Sequence, residues 1–300
     1  MKLPSFCRNQ KTIGLELRRD YFNLVELIWE KENVYLHKAV NVVINSAKPE
    51  ELGEAIRSVI HKHNIKAKHV NLGIEARNVI IRQVKFPLLT PEELQETLKW
   101  ESDRYLPLPP DDLLIDFNIL EKFPENDPPE MQVILVGVKR SLINEYLAIA
   151  KHAELSLDCI EVTPFSFLRV IDADKITGTA ALLNVVNDNT EMMIISDGLL
   201  RFNRVIENTR HEDLVIDIQR SLDFYRTQYR DNPVEKIIIS GAYSGLNELI
   251  QMLSEVLQIP VEKANLMNKI KINKKFDKFY INNQLPSMAA GLGLALRKER

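Results

Sequence analysis

The order in which apolar periodicities change along this chain constrains its fold more than any single motif. Residues 12–45 read as three strands. Ile13, Leu15 and Leu17 alternate with smaller or polar neighbours, Arg18-Arg19-Asp20-Tyr21 turns the chain, Phe22 to Ile28 returns, and Val34 to Ile44 follows. From Lys48 the period becomes helical: Leu52, Ala55, Ile56, Val59 and Ile60 share a face behind the acidic first turn Pro49-Glu50-Glu51. Val70 to Ile74 is a further strand. This β-β-β-α-β order opens on a hairpin and so differs from a doubly wound dinucleotide fold, which alternates strand and helix from its start.

A different unit occupies residues 77–158. Strand Val79–Phe86 runs into Pro87, and Thr90-Pro91-Glu92-Glu93 opens a helix with Thr90 as N-cap and Glu93 three residues on. Leu94, Leu98 and Trp100 ride on that helix until Tyr105-Leu-Pro-Leu-Pro-Pro ends it. Leu113–Leu120 and Gln132–Val138 read as paired strands, and Ser141 as the cap of a helix to about His152. From Asp158 the first pattern starts again. A hairpin of Ala180–Val186 and Met192–Ser196 precedes strand Leu199–Val205, a helix at 214–229, strand Lys236–Ser240 and a helix at 246–257. A unit used twice, with another inserted in its first copy, predicts two lobes facing a shared cleft. The expected boundaries are 12–76 for the start of the first lobe, 77–158 for the insert, 159–178 for the return and 179–300 for the second lobe.

Length agrees, since 300 residues exceed what one compact core needs. The 39 Lys and Arg are interspersed with 42 Asp and Glu, so no basic stripe points to nucleic acid. Cys7 and Cys159 are too few and too far apart for a disulfide framework or a zinc site, which suits a reducing compartment. The first residues lack the apolar run of a signal peptide, and no 18 consecutive apolar residues occur. A protein acting at a membrane without a segment of its own needs a tether. His61, His63 and His69 sit at a Lys-rich helix end, which fits cations at a helix C-terminus better than a metal.

Four stretches carry a family resemblance. They are Glu92-Glu93-Leu94 through Trp100-Glu-Ser-Asp-Arg-Tyr-Leu-Pro-Leu-Pro109; Asp116-Phe-Asn-Ile-Leu120; Glu161-Val-Thr-Pro-Phe165 with Leu168-Arg169; and the tail from Gln258 through Leu285-Pro-Ser-Met-Ala-Ala-Gly-Leu-Gly-Leu-Ala-Leu-Arg297. In order and spacing they resemble the PilM family of type IV pilus assembly proteins, related to FtsA, over residues 12 to about 298. The resemblance implies an actin-like ATPase (ribonuclease H-like) α/β fold of two lobes with a small inserted α+β subdomain, parts called 1A, 1C, 2A and 2B in that family. It also implies a cytoplasmic scaffold of a pilus, competence or secretion complex. Such a scaffold lies peripherally on the inner face of the membrane, held by the short N-terminal cytoplasmic peptide of a membrane-anchored PilN-like partner, without entering the membrane or binding nucleic acid.

The same resemblance implies an interlobe nucleotide cleft, and its residues are altered. Phosphate loops use small residues so that backbone N–H groups can approach oxygens, and an acid positions the magnesium. Here Gly14 and Glu16 remain, but Arg18, Arg19, Asp20 and Tyr21 replace the small residues. In the second turn, Asn184 has the shape of an aspartate without its charge, Val186 replaces a glycine, and Asp188 lies at the tip. The adenosine-side loop Ser240-Gly241-Ala242-Tyr243-Ser244-Gly245 is short. Direct pairing of Arg18 and Arg19 with phosphates is one reading; a solvated hairpin tip is the favoured one. No catalytic residue is assigned, ATP–Mg binding is expected to be weak or lost, and no metal is expected. The rival is an active ATPase of the same fold. FtsA-like self-assembly would call for an amphipathic tail that 293–300 is too short to form, and a type II secretion L-type protein would continue into a membrane helix. The partner peptide is expected near Trp100, Arg104, Tyr105, Leu106 and Pro107, with Pro164 and Phe165.

Overall fold

The computed structural model describes residues 10–44, 48–66, 69–107, 109–186, 188–207, 210–243, 245–272, 276, 280 and 284–298. Strands β1 (Gln10–Leu17), β2 (Tyr21–Glu30) and β3 (Asn33–Val43) form an antiparallel meander, and β4 (His69–Ile74) and β8 (Ser156–Val162) extend it in parallel beyond β1. The short β14 (Ile270–Ile272) completes this sheet on β3, giving the order β14-β3-β2-β1-β4-β8. Ile13 through Leu17 are all buried because β1 is central and covered on both faces.

A second sheet has the order β11-β10-β9-β12-β13, from β9 (Thr179–Val185), β10 (Asn189–Ser196), β11 (Leu199–Glu207), β12 (Lys236–Ser240) and β13 (Val261–Lys263). A third contains β5 (Val79–Pro87), β7 (Glu130–Lys139) and β6 (Leu113–Phe123), with β7 central, so the expected pair is a trio. Helix α2 (Pro91–Tyr105) covers it, opened by the expected capping box: Thr90 Oγ1 accepts from the Glu93 amide at 3.2 Å, and Glu93 accepts from the Thr90 amide at 2.8 Å.

Helices α1 (Pro49–Lys62) and α3 (Arg140–His152) pack together on the first sheet through Leu52, Ile56, Tyr146 and Ile149. Helix α3 therefore belongs to the packing of the first sheet rather than to the insert's, and Lys139, not Ser141, stands at its N-cap because β7 runs up to it. Helices α5 (His211–Gln228) and α6 (Leu246–Leu257) cover one face of the second sheet. Between the two large sheets lie α4 (Thr163–Val170) and α7 (Ala289–Ala295), whose Phe167, Val170, Leu292 and Ala295 meet Val25, Leu27, Leu182 and Met193 in one core. Burying a side chain such as Phe167 there contributes roughly 1.5–3 kcal/mol.

Of the tail expected in the second lobe, β14 pairs with β3 and α7 packs against β1 and β2, all of the first sheet. Helix α7 approaches its neighbours backbone to backbone. A Cβ on Gly14 would lie 2.1 Å from the Gly291 carbonyl oxygen, and one on Gly293 would lie 1.8 Å from that of Ser166. Side chains satisfy its last carbonyls: Asn71 Nδ2 donates to Leu294 O at 2.9 Å, Arg169 Nη1 to Gly293 O at 2.9 Å, and Thr12 Oγ1 to Ala295 O at 2.5 Å. Among the described residues no helix is long and apolar enough to cross a membrane.

Candidate functional site

The turn after β1 is open to solvent only in part. Arg18 is only 5% exposed, while Arg19 and Asp20 beside it are exposed. Its Nε donates to Glu16 Oε1 at 2.7 Å, and its Nη2 reaches across to Glu191 Oε1 on β10 at 3.2 Å. A 1%-exposed Glu16 has its other oxygen bonded to Asn23 Nδ2 at 3.0 Å. Glu191, equally buried, also accepts from Thr163 Oγ1 at 2.6 Å and from Asn184 Nδ2 at 3.1 Å. Burial alone would lower the Arg18 pKa, but Glu191 and Glu16 more than offset it, so the guanidinium lies well above the ordinary arginine value and stays charged. The solvated-tip expectation fails at Arg18, though not at Arg19 and Asp20, because two acids, one from each large sheet, converge on the Arg18 side chain.

The turn amides are committed as well. Arg18 N donates to Tyr21 O at 2.9 Å, and Arg19 N donates to Glu75 Oε1 at 3.1 Å. Glu75 also takes the Arg77 Nε at 2.5 Å, and Arg77 pairs with Asp188 of the second turn. Val186 N donates back to Asn189 O at 2.9 Å. The two glycines assigned to the nucleotide cleft, Gly14 in the first phosphate loop and Gly241 in the adenosine-side loop, face protein: Gly14 accommodates α7, and Gly241, at φ +130°, would place a Cβ 1.8 Å from Val185 O. Ala242 and Tyr243 follow half-buried, with the Tyr243 ring edge-on to His211 at 5.1 Å; Ser244 lies outside the described residues. Among the described residues of these turns, the Arg18, Arg19 and Val186 amides and the carboxylates of Glu16 and Glu191 are all hydrogen-bonded within the protein.

Elsewhere a groove of about 1240 Å³ lies where the three sheets meet. Each sheet ends there on an edge strand: β6 contributes the consecutive run Asp116–Leu120, β8 contributes Asp158, Cys159 and Glu161, and β11 contributes Leu199 and Leu200. Phe165 and Leu168 of α4 form an apolar wall. At one side Glu161 binds Arg169 at 2.5 and 2.7 Å and Arg297 at 2.7 Å, fixing the guanidinium groups against the wall. Contacts from Arg201 to Glu121 at 2.7 Å and from Gln83 to Leu200 O at 3.1 Å tie β11 to the third sheet. None of the residues expected to bind nucleotide lines the groove.

The family model described as "Type IV pilus assembly protein PilM" matches residues 31–208 and 205–299. The chain belongs to the PilM family. Among solved structures, the "PilM-PilN type IV pilus biogenesis complex" is similar over 97% of this chain and 99% of that one, with a TM-score of 0.86 at 20% identity. A Bacteroides thetaiotaomicron protein with an actin-like ATPase fold and unknown function covers 89% of this chain and 96% of its own, at TM-score 0.55 and 14% identity. The cytoplasmic domain of EpsL, an inner-membrane component of the Vibrio cholerae type II secretion system, covers 86% and 98%, at 0.51 and 16%. The actin-like fold expected from the resemblance is therefore the fold of this PilM-family chain.

Of the residues expected to dock a partner, only Phe165 lines the groove. Pro164 is buried beside it and lines a second cavity of about 280 Å³ instead. Helix α2 carries the others away from the groove. Leu106 is fully buried, Tyr105 packs on Phe86 with ring centroids 4.9 Å apart, Arg104 pairs with Glu101 at 2.7 Å, Pro107 is exposed, and Trp100 projects outward at 83% exposure. Sequence reasoning overlooked β6 as a site, although Asp116–Leu120 was one of the four stretches that carried the resemblance. Exposed Asp116 and Asn118 alternating with half-buried Phe117 and Ile119 could have marked it as a sheet edge. Among the described residues no group of three or more acidic, His or Cys side chains could hold a metal, and His69 Nδ1 instead lies 2.8 Å from Asp158.

Proposed function

We propose that this PilM-family protein is a docking subunit of a type IV pilus-type, competence or secretion assembly, and that its groove takes the extended N-terminal peptide of a PilN-like, membrane-anchored partner. The observation that carries this reading is the convergence of three edge strands on one apolar-walled groove. An extended peptide can add its backbone to such an edge while alternate side chains enter pockets. Each aliphatic side chain buried against Phe165, Leu168 or Leu200 would contribute roughly 1.5–3 kcal/mol before ordering costs. The tether would hold the protein at the cytoplasmic face of the membrane. The similar solved complex pairs PilM with PilN, which supports the choice of partner.

On the same reading, nucleotide binding is weak or lost and the protein works as a scaffold rather than an ATPase. The committed turn amides and the filled glycine positions support this. Fluorescence anisotropy with a labelled peptide of the partner's N-terminal residues tests the docking site. Leu168→Arg and Leu120→Arg are expected to weaken binding at least tenfold while Trp100→Ala leaves it unchanged. Equal affinity in all three variants would refute the groove.

A further inference from the structure

The Arg18 cluster joins the two large sheets at the place where an actin-like fold would put its nucleotide, and it is physically continuous with the groove. Glu191 accepts hydrogen bonds from three elements at once: Arg18 at the end of β1, Asn184 on β9 and Thr163 at the first position of α4. Two turns of α4 lead from Thr163 to Phe165, Leu168 and Arg169, which line the groove. The same helix is also held to α7 by the close approach of Ser166 O to Gly293 and by the bond from Arg169 Nη1 to Gly293 O at 2.9 Å. A helix held at its first residue and against α7 has little freedom to move its groove-facing side chains.

A phosphate would be poorly received here. Glu16, Glu75 and Glu191 are all buried around the guanidinium and already share its charge. What the cluster does provide is a fixed positive charge between two lobes that each present an acid to it.

We propose that Arg18 is a built-in counter-ion that closes the two lobes without nucleotide, and that Arg18, Glu191 and Thr163 are positioning residues holding α4, and hence the apolar wall of the groove, ready for the partner peptide. The peptide half of this inference rests on the docking reading above; the closure half does not.

The test uses the full chain. Arg18→Met alone would leave two buried acids facing each other, so the informative variant is the neutral Arg18→Met/Glu16→Gln/Glu191→Gln. Thr163→Val, which removes one hydroxyl, is the gentler companion should the triple variant fail to fold. Hydrogen exchange of the α4 amides is measured in the free protein, with a synthetic peptide of the PilN-type partner's N-terminal residues titrated by anisotropy and Mg-ATP by calorimetry. The expected results are α4 exchange at least tenfold faster in the triple variant, a severalfold increase in Thr163→Val, peptide binding about tenfold weaker with no groove residue altered, and no heat from Mg-ATP with the wild type. Exchange and affinity within twofold of wild type in a folded variant would overturn the proposal. So would micromolar Mg-ATP binding by the wild type. If the wild type ignores the peptide, the docking reading fails, while α4 exchange still decides whether the cluster positions the helix.

Discussion

Gly14 offers a sharp test, because sequence and structure give it different work. As a phosphate-loop glycine, it should tolerate alanine in the folded protein and show the change only toward a nucleotide. In the structure, a Cβ there would lie 2.1 Å from Gly291 O, 2.6 Å from Ala295 N and 2.8 Å from Leu294 Cβ. Reaching an ordinary contact of 3.4 Å requires α7 to withdraw by about 1.3 Å. It has nowhere to go, since on its other face Gly293 already abuts Ser166 O. Two of the three clashing atoms are backbone, so no rotamer change relieves them. Overpacking of this kind costs about 1–3 kcal/mol, and the doubly pinned helix puts Gly14→Ala at the upper end or beyond. At roughly 2–4 °C per kcal/mol for a chain of this order of size, Tm should fall by about 6–12 °C. Differential scanning fluorimetry, with near-UV circular dichroism to follow packing, reads it directly. A melt within 1 °C of wild type would refute the close-packing argument and restore Gly14 to a ligand role.

Tyr105→Ala should lower stability by at least about 1 kcal/mol through loss of the Phe86 ring pair, and should leave peptide binding unchanged once the protein is folded; chemical denaturation and anisotropy measure the two effects. Trp100→Ala should stay within about 0.5 kcal/mol of wild type by the same denaturation, because the side chain is 83% exposed. Burial raises the Glu75 carboxyl above its ordinary value, against the pull of Arg18 and Arg77. The folded state therefore binds this proton more readily than the unfolded one, and its contribution to stability is fully present below the unfolded pKa and lost as pH rises through the folded one. Glu75→Gln should flatten that slope in urea melts across the acid range, and an unchanged slope would contradict the burial argument.

Element order and type were readable because their signals repeat within a few residues. The Thr90–Glu93 box, the apolar face of α1 and the β1–β2 hairpin all depend on neighbours in sequence. That β14 joins the first sheet while β13 joins the second was not readable, because nothing local in Ile270–Ile272 says which sheet it will join. Arg18 looked like a hairpin tip because the acid that buries it lies 173 residues away. Tyr105 and Trp100 looked alike as aromatic anchors until the packing of α2 on the third sheet hid one and exposed the other.

Sequence by itself determined the order of the strands and helices, the two hairpins that open the large sheets and the family resemblance, since alternation, helical period and caps are short-range properties of the chain. Only the tertiary structure decided that three edge strands share one groove, that Gly14 and Gly241 adjoin protein backbone, and that a guanidinium sits between the lobes. Those features depend on Cβ clearances and charge pairings between segments far apart in sequence, and these exist only once the chain has folded.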